Sequence, residues 1–179
     1  MHKDVEEILF EEKQINERIA IMAEQITNDY KGQTLLMVGI LKGAVLFFSE
    51  LAKRLDLDIE MDFMAVSSYG SSAKSSGAAK LLKDLDYDIK GKNVLIVEDI
   101  IDTGLTLNYL VNSLEARNPK SLKTCCLLDK PSRRKIDFEP DYKGFEVPDK
   151  FLIGFGLDYA SKYRNLPYIG VLKPSIYEK

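Results

Sequence analysis

Residues 93–106 read NVLIVEDIIDTGLT, and this stretch decides the fold. An apolar run leads into two adjacent acids, Glu98 and Asp99, and a third acid, Asp102, opens a turn that contains threonine and glycine. A run rich in β-branched residues with a polar tip is typical of a buried parallel strand that has reached the edge of its sheet. We therefore expect the strand to end at the acid pair. Ligands of open α/β sheets bind at such carboxyl ends.

The turn at residues 102–106 predicts a phosphate site. Gly104 allows a tight turn and close backbone approach, and Thr103 and Thr106 supply hydroxyl groups. A helix that begins near Thr103 would add the positive end of its dipole. The acid pair before the turn suits a divalent cation or a sugar diol, because Mg²⁺ takes one or two protein carboxylates together with substrate oxygens. Taken alone, each motif also fits a polar strand end or an ordinary helix cap.

The rest of the chain alternates between helical and strand patterns, which favours an α/β architecture with right-handed crossovers. Helical spacing of apolar residues predicts helices over residues 4–29 and 44–55 and a third after Thr106 that ends at Asn118. Apolar runs predict further strands at residues 34–40, 59–66 and 122–128.

Residues 67–78, SSYGSSAKSSGA, are rich in serine and glycine and bury little. They fit either an exposed linker or a closing lid. Long structureless loops inside one domain are uncommon unless they are functional, which favours the lid.

Length and charge narrow the class of protein. The chain has 179 residues and a formal net charge of −3, which suits one domain over residues 1–179 and gives no general attraction to nucleic acid or acidic membranes. Acids interrupt the first apolar residues, so we expect no signal peptide and no membrane span. The adjacent Cys125 and Cys126 are expected to be buried and unbridged, and a cytoplasmic location fits all of this.

The segment NVLIVEDIIDTGLTL closely resembles the motif that binds phosphoribosyl pyrophosphate (PRPP) in type I phosphoribosyltransferases. Four further landmarks occur in the family's order: GILKGA at residues 39–44, SYG at 68–70, LDKP at 128–131, and VPDKF at 147–151 running to Asp158 and Tyr159. Together they narrow the resemblance to bacterial members that act on hypoxanthine and guanine.

The resemblance implies a fold and a reaction. The fold is a central, mostly parallel sheet flanked by helices, with a small purine-binding hood formed mainly by the C-terminal and N-terminal segments. The reaction is purine salvage, in which Mg²⁺-dependent transfer of the 5-phosphoribosyl group from PRPP to hypoxanthine or guanine gives IMP or GMP plus pyrophosphate. A homodimer or homotetramer is the assembly that the family implies.

The resemblance also assigns residues to the phosphoribosyl side of the site. Glu98 and Asp99 would serve the ribose diol and its metal, and Asp102 would be the general base. The 5′-phosphate and the pyrophosphate would be held by residues of two turns and a distant arginine: Thr103, Gly104, Leu105 and Thr106; Lys42 and Gly43; and Arg164. In the family, the Leu41–Lys42 peptide bond can be cis. Ser68 and Tyr69 would lead the lid.

On the purine side, the resemblance implies that Lys130 binds the exocyclic oxygen at carbon 6 and that Phe151 stacks on the ring. The backbone around Leu152 would contact the ring edge, and Asp158 would contact a second metal ion. An ammonium group only donates hydrogen bonds, so Lys130 favours a 6-oxo purine over a 6-amino purine. A core phenylalanine is the alternative for Phe151.

Two other readings remain open at this point: a xanthine-preferring enzyme, and a regulator on the same fold that senses PRPP or nucleotides. Phe155 stands where many relatives have tyrosine, which removes a hydroxyl group but keeps the ring. Arg133 and Arg134 are expected on the surface.

Overall fold

The computed structural model describes residues 1–68 and 79–178. In that part of the chain there are nine strands and four α-helices: β1 (Val5–Phe10), α1 (Glu12–Asp29), β2 (Leu35–Leu41), α2 (Val45–Ala52), β3 (Ile59–Ser68), β4 (Ala79–Lys83), β5 (Asn93–Ile101), α3 (Leu105–Glu115), β6 (Ser121–Asp129), β7 (Tyr142–Glu146), β8 (Leu152–Ile153), β9 (Ile169–Leu172) and α4 (Pro174–Tyr177).

The main sheet has six strands in the order β4-β3-β2-β5-β6-β7, and all neighbours are parallel except the edge pair β3 and β4. Its central strands β2 and β5 are apolar and almost wholly buried, because helices cover both faces. Helices α1 and α2 pack on one face and α3 packs on the other. The predicted α/β class with a mostly parallel sheet is confirmed.

The prediction of one helix over residues 4–29 was wrong at its start. Residues Val5–Phe10 form β1, which pairs antiparallel with β9 near the other end of the chain. The helix begins at Glu12, after a capping box in which the backbone N–H of Glu11 donates to Oε1 of Gln14 at 2.9 Å. Apolar spacing within the segment could not reveal a strand partner so distant in sequence.

Strands β1, β9 and β8 form a second sheet, so both ends of the chain build one small layer. The layer is tied to the end of β6, since Nζ of Lys130, just after β6, donates to the carbonyl of Lys150, just before β8, at 2.9 Å. This arrangement matches the expected hood. Phe155 is buried in the main core with 7% of its surface exposed.

Two smaller features concern the cysteines and the limits of β3. Cys125 and Cys126 are buried and free, as predicted. Ser67 and Ser68, the first two residues of the segment in which we expect a lid, lie in β3 and pair with Lys80 and Ala79. The rest of that predicted lid lies outside the described residues. No helix within residues 1–68 and 79–178 is long and apolar enough to cross a membrane.

Candidate active site

The acid pair lies inside β5, not at its end. The strand runs on to Ile101, because Ile100 and Ile101 still pair with β6 and the side chain of Ile101 is buried with 2% exposed. The expectation that the strand ends at Glu98 and Asp99 was therefore wrong by two residues.

Glu98 and Asp99 are largely removed from water. The N–H of Asp99 donates to Oε1 of Glu98 at 3.1 Å, and the N–H of Ile100 donates to Oδ1 of Asp99 at 2.7 Å. Burial, and next to it the charge of Asp99, raises the pKa of Glu98 well above its ordinary value. Burial also raises the pKa of Asp99, while hydrogen bonds and the charge of Arg164 oppose the rise. Two buried carboxylates side by side favour a bound cation.

The turn after β5 is tight and leads directly into α3. Gly104 has a left-handed backbone with φ of +83° and directly precedes α3, which begins at Leu105 and not near Thr103. A cavity of about 160 Å³ faces the start of this helix. It is lined by the acid pair and the turn: Glu98, Asp99, Ile100, Ile101, Asp102, Thr103, Gly104, Thr106 and Leu107. Gly104, Thr106 and Leu107 at the start of the helix line this cavity, and the start of a helix favours an anion.

Asp102 is held from both sides by the arginine pair that follows β6. Nε of Arg133 lies 2.9 Å from Oδ1 of Asp102, an ion pair that lacks hydrogen-bond geometry. Nη1 of Arg134 donates to the backbone carbonyl of Asp102 at 2.9 Å, and its other nitrogen pairs with the fully buried Asp129. Arg133 is half exposed, whereas only 12% of the Arg134 side chain is exposed. The surface prediction for Arg134 was therefore wrong, because Asp129 needs a buried cation.

The turn after β2 lies directly against the acid pair. The Leu41–Lys42 peptide bond is cis. Gly43 is so close to Asp99 that a Cβ atom on it would lie 1.7 Å from Oδ2 of the carboxylate. On its other side, a Cβ on Gly156 would lie 2.0 Å from the carbonyl oxygen of Gly43. The turn is thus sandwiched between the strand β5 and the loop around Gly156.

Arg164 joins this cluster through the same loop. Its Nη1 donates to the carbonyl of Gly156 at 2.6 Å, and its Nη2 pairs with Oδ1 of Asp158 at 2.7 Å. The structure therefore brings Lys42, Gly43 and Arg164 to one side of Asp99, although they are far apart in sequence.

A larger cavity of about 480 Å³ lies beside the anion cavity. Four predicted purine-side residues line it: Lys130, Phe151, Leu152 and Asp158. The ammonium group of Lys130 is buried and donates to the carbonyl of Lys150 at 2.9 Å. Phe151 keeps 36% of its surface exposed, so it is not an ordinary core residue.

Sequence reasoning missed other residues that line this cavity: Ile100, Arg133, Asp149, Lys150, Leu157 and Tyr177. Ile100 could have been noticed as the apolar residue between two acidic sites. Nothing in the local pattern points to Tyr177, because its approach depends on how the C-terminal segment folds back.

Asp158 lines the larger cavity and pairs with Arg164, apart from Glu98 and Asp99. Among the residues that the structure describes, no three acids, histidines or cysteines form a metal cluster. Ser68 ends β3, and Tyr69 lies outside the described residues.

Comparison with known proteins identifies the class. Residues 6–160 match the family model described as a phosphoribosyl transferase domain. The chain belongs to the phosphoribosyltransferase family.

Two of its relatives are similar to the chain over nearly their full length. The chain is 52% identical over 178 residues to the hypoxanthine-guanine phosphoribosyltransferase of Bacillus subtilis, covering 99% of each sequence. It superimposes on the crystal structure of a hypoxanthine phosphoribosyltransferase from Staphylococcus aureus with a TM-score of 0.96 and 47% identity, covering 100% of this chain and 97% of that one. It is also 50% identical to the bifunctional protein TilS/HprT of Listeria monocytogenes, of whose length it spans 28%.

Proposed function

We propose that this protein is a purine-salvage enzyme that transfers the 5-phosphoribosyl group of PRPP to hypoxanthine or guanine. The products are IMP or GMP and pyrophosphate. The family membership and the names of the full-length relatives support this reaction.

The observation that carries the proposal is the position of Asp102 between two adjoining cavities. Asp102 and Ile100 line both the anion cavity and the larger cavity that contains Lys130 and Phe151. A phosphoribosyl group in the first cavity and a planar base in the second would meet beside this carboxylate. Nucleoside monophosphates have that division into a phosphate end and a base end.

Asp102 would act as the general base in the reaction. Nitrogen 9 of the purine attacks the anomeric carbon, and the proton on nitrogen 7 passes to the carboxylate. The Arg133 side chain that pairs with Asp102 is half exposed, so an entering base can displace it. The hydrogen bond from Arg134 to the Asp102 backbone would hold the residue in place during this exchange.

Lys42 and Arg164 would offset the charge that develops on the leaving pyrophosphate. Lys42 precedes Gly43, which lies against Asp99, and the charge of Arg164 acts on the same carboxylate. Arg164 would exchange part of its pairing with Asp158 for pyrophosphate oxygens, to which its planar fork is well matched.

The acid pair has the chemistry to hold Mg²⁺. Glu98 and Asp99 line the anion cavity, and burial raises the pKa of both carboxyl groups. A cation beside them would favour their ionised form. Two protein carboxylates suffice for Mg²⁺, which completes its shell with water and substrate oxygens. Bound there, the ion would neutralise pyrophosphate and orient the ribose hydroxyls. Asp158 would contact a second ion.

Lys130 would select the base. Its ammonium group is fixed by the carbonyl of Lys150 and retains further donors for an acceptor in the cavity. The oxygen at carbon 6 of hypoxanthine or guanine is such an acceptor, whereas the amino group of adenine is not.

The test is PRPP-dependent turnover of hypoxanthine, guanine, xanthine and adenine with Mg²⁺. We expect turnover of the first two and at most weak turnover of adenine. Asp102→Asn should lower kcat by about a hundredfold or more while PRPP binding changes little. Equal losses in kcat and in PRPP binding would contradict the role of Asp102 as general base. Xanthine as the best substrate would mean that the enzyme prefers a different purine. No turnover of any base would refute the proposed enzymatic activity.

We also propose a cytoplasmic homodimer or homotetramer. The free, buried cysteines fit a reducing compartment. Light scattering after size-exclusion chromatography would determine the number of subunits.

A further inference from the structure

Tyr177, on the last helical turn, stacks against the aromatic ring proposed to bind the base. The ring centroids of Phe151 and Tyr177 lie 5.0 Å apart with an interplanar angle of 29°. Tyr159 meets the Phe151 ring edge-on, at 5.5 Å and 88°. Both contacts involve the exposed aromatic residue of the larger cavity, and Tyr177 itself lines that cavity.

A planar base cannot enter between Phe151 and Tyr177 at this spacing, because offset-stacked rings with centroids 5.0 Å apart are already in contact. The other face of Phe151 is the one left for the base. Ile100 and Leu157 provide apolar walls in the same cavity. Tyr177 therefore packs against the face of the Phe151 ring that is turned away from the base.

The backbone around Phe151 is fixed on both sides, which leaves its side-chain torsions as the remaining freedom. The carbonyl of Phe151 accepts a hydrogen bond from the N–H of Leu172 at 2.8 Å, and the preceding carbonyl, of Lys150, accepts one from Lys130 at 2.9 Å. The C-terminal segment thus holds Phe151 twice: β9 holds its backbone and α4 holds its ring.

We propose that Tyr177 is a positioning residue for purine binding, which fixes the Phe151 ring in the orientation that stacks on the base. This inference rests on the proposed function. A free aromatic side chain loses torsional freedom when a ligand immobilises it, and a ring that is already fixed does not incur that cost.

Binding of two product ligands separates this role from general damage. GMP carries the base and pyrophosphate does not, so calorimetric titration of each, with Mg²⁺, reports on the two halves of the site. Tyr177→Ala should weaken GMP binding by about three- to tenfold, the range for one aromatic contact, and leave pyrophosphate binding within about twofold. Tyr177→Leu, which keeps apolar volume without a ring, should weaken GMP binding in the same way.

Two control variants complete the design. Tyr177→Phe keeps the ring contact and should bind GMP like the parent protein. Tyr87→Ala removes a tyrosine that is 78% exposed and does not line the cavity, and should also behave like the parent.

Unchanged or tighter GMP binding by Tyr177→Ala would overturn the proposal, and tighter binding would mean that Tyr177 occupies the place of the base. Equal weakening of GMP and pyrophosphate would overturn it too, since that is the result of a loosened fold. A parent protein that binds neither ligand would refute the proposed function itself.

Discussion

The substitution Gly43→Ala tests whether activity requires the close packing of the turn after β2 against Asp99. The added methyl group would lie 1.7 Å from Oδ2 of Asp99, where ordinary contact begins at 3.4 Å, so the carboxylate or the turn must move by roughly the 1.7 Å difference. The carboxylate can rotate, but it would lose its 2.7 Å hydrogen bond from the N–H of Ile100. That loss costs about 1 kcal/mol of folding stability. A displacement of about 1 Å in a catalytic site can cost about a hundredfold in rate.

We therefore expect Gly43→Ala to lose about 1 kcal/mol of folding stability and about a hundredfold in kcat/KM for PRPP. Steady-state kinetics and urea unfolding measure the two quantities. The contact is isolated by a double-mutant cycle with Asp99→Ala, which removes the carboxylate that the methyl group strikes. In the Asp99→Ala background, Gly43→Ala should lower kcat/KM for PRPP little further. The reasoning is refuted if Gly43→Ala is fully active, or if its loss is just as large without the Asp99 carboxylate.

Three further predictions concern single contacts. Lys130→Ala should raise KM for hypoxanthine by about ten- to a hundredfold, the value of a charged hydrogen bond, and should leave KM for PRPP unchanged. An increase in KM for PRPP instead would mean that the base binds elsewhere. The Tyr142 hydroxyl donates to Asp29 at 2.6 Å and lowers the pKa of that carboxyl group. The bond therefore stabilises the fold at pH values above the pKa that Asp29 has in the unfolded chain. This stabilisation is lost as the pH falls through the lower pKa that Asp29 has in the folded protein. Tyr142→Phe should therefore lower the free energy of unfolding by about 1 kcal/mol at pH 7, and the difference from the parent should shrink below about pH 4; a pH-independent difference would exclude this origin. In thermal unfolding, Mg²⁺ should stabilise the parent and not the Glu98→Gln/Asp99→Asn variant, and equal stabilisation of both would place the ion elsewhere.

The parallel sheet and its carboxyl edge could be predicted because their signals are local. Buried parallel strands appear as continuous apolar runs, and the acids and Gly104 follow such a run directly. The limits of β5 could not be predicted in the same way, since Ile100 and Ile101 remain in the strand only through their pairing with β6.

The hood was harder to predict because its contacts join distant parts of the chain. The helical spacing of Val5, Ile8 and Leu9 suits a helix as well as a strand, and only pairing with β9 decides between them. For the same reason, Tyr177 left no local signal of its contact with Phe151. The other purine-side residues could be named from the resemblance to a family. Their arrangement around one cavity became visible only in the fold.

The pairing of β1 with β9 has a consequence for the order in which the protein assembles as it is synthesised. Residues Val5–Phe10 are translated well before their strand partner Ile169–Leu172. The six-stranded sheet, complete at Glu146, can bury its core earlier. A growing chain can therefore form the phosphate turn well before it has anywhere to place a purine.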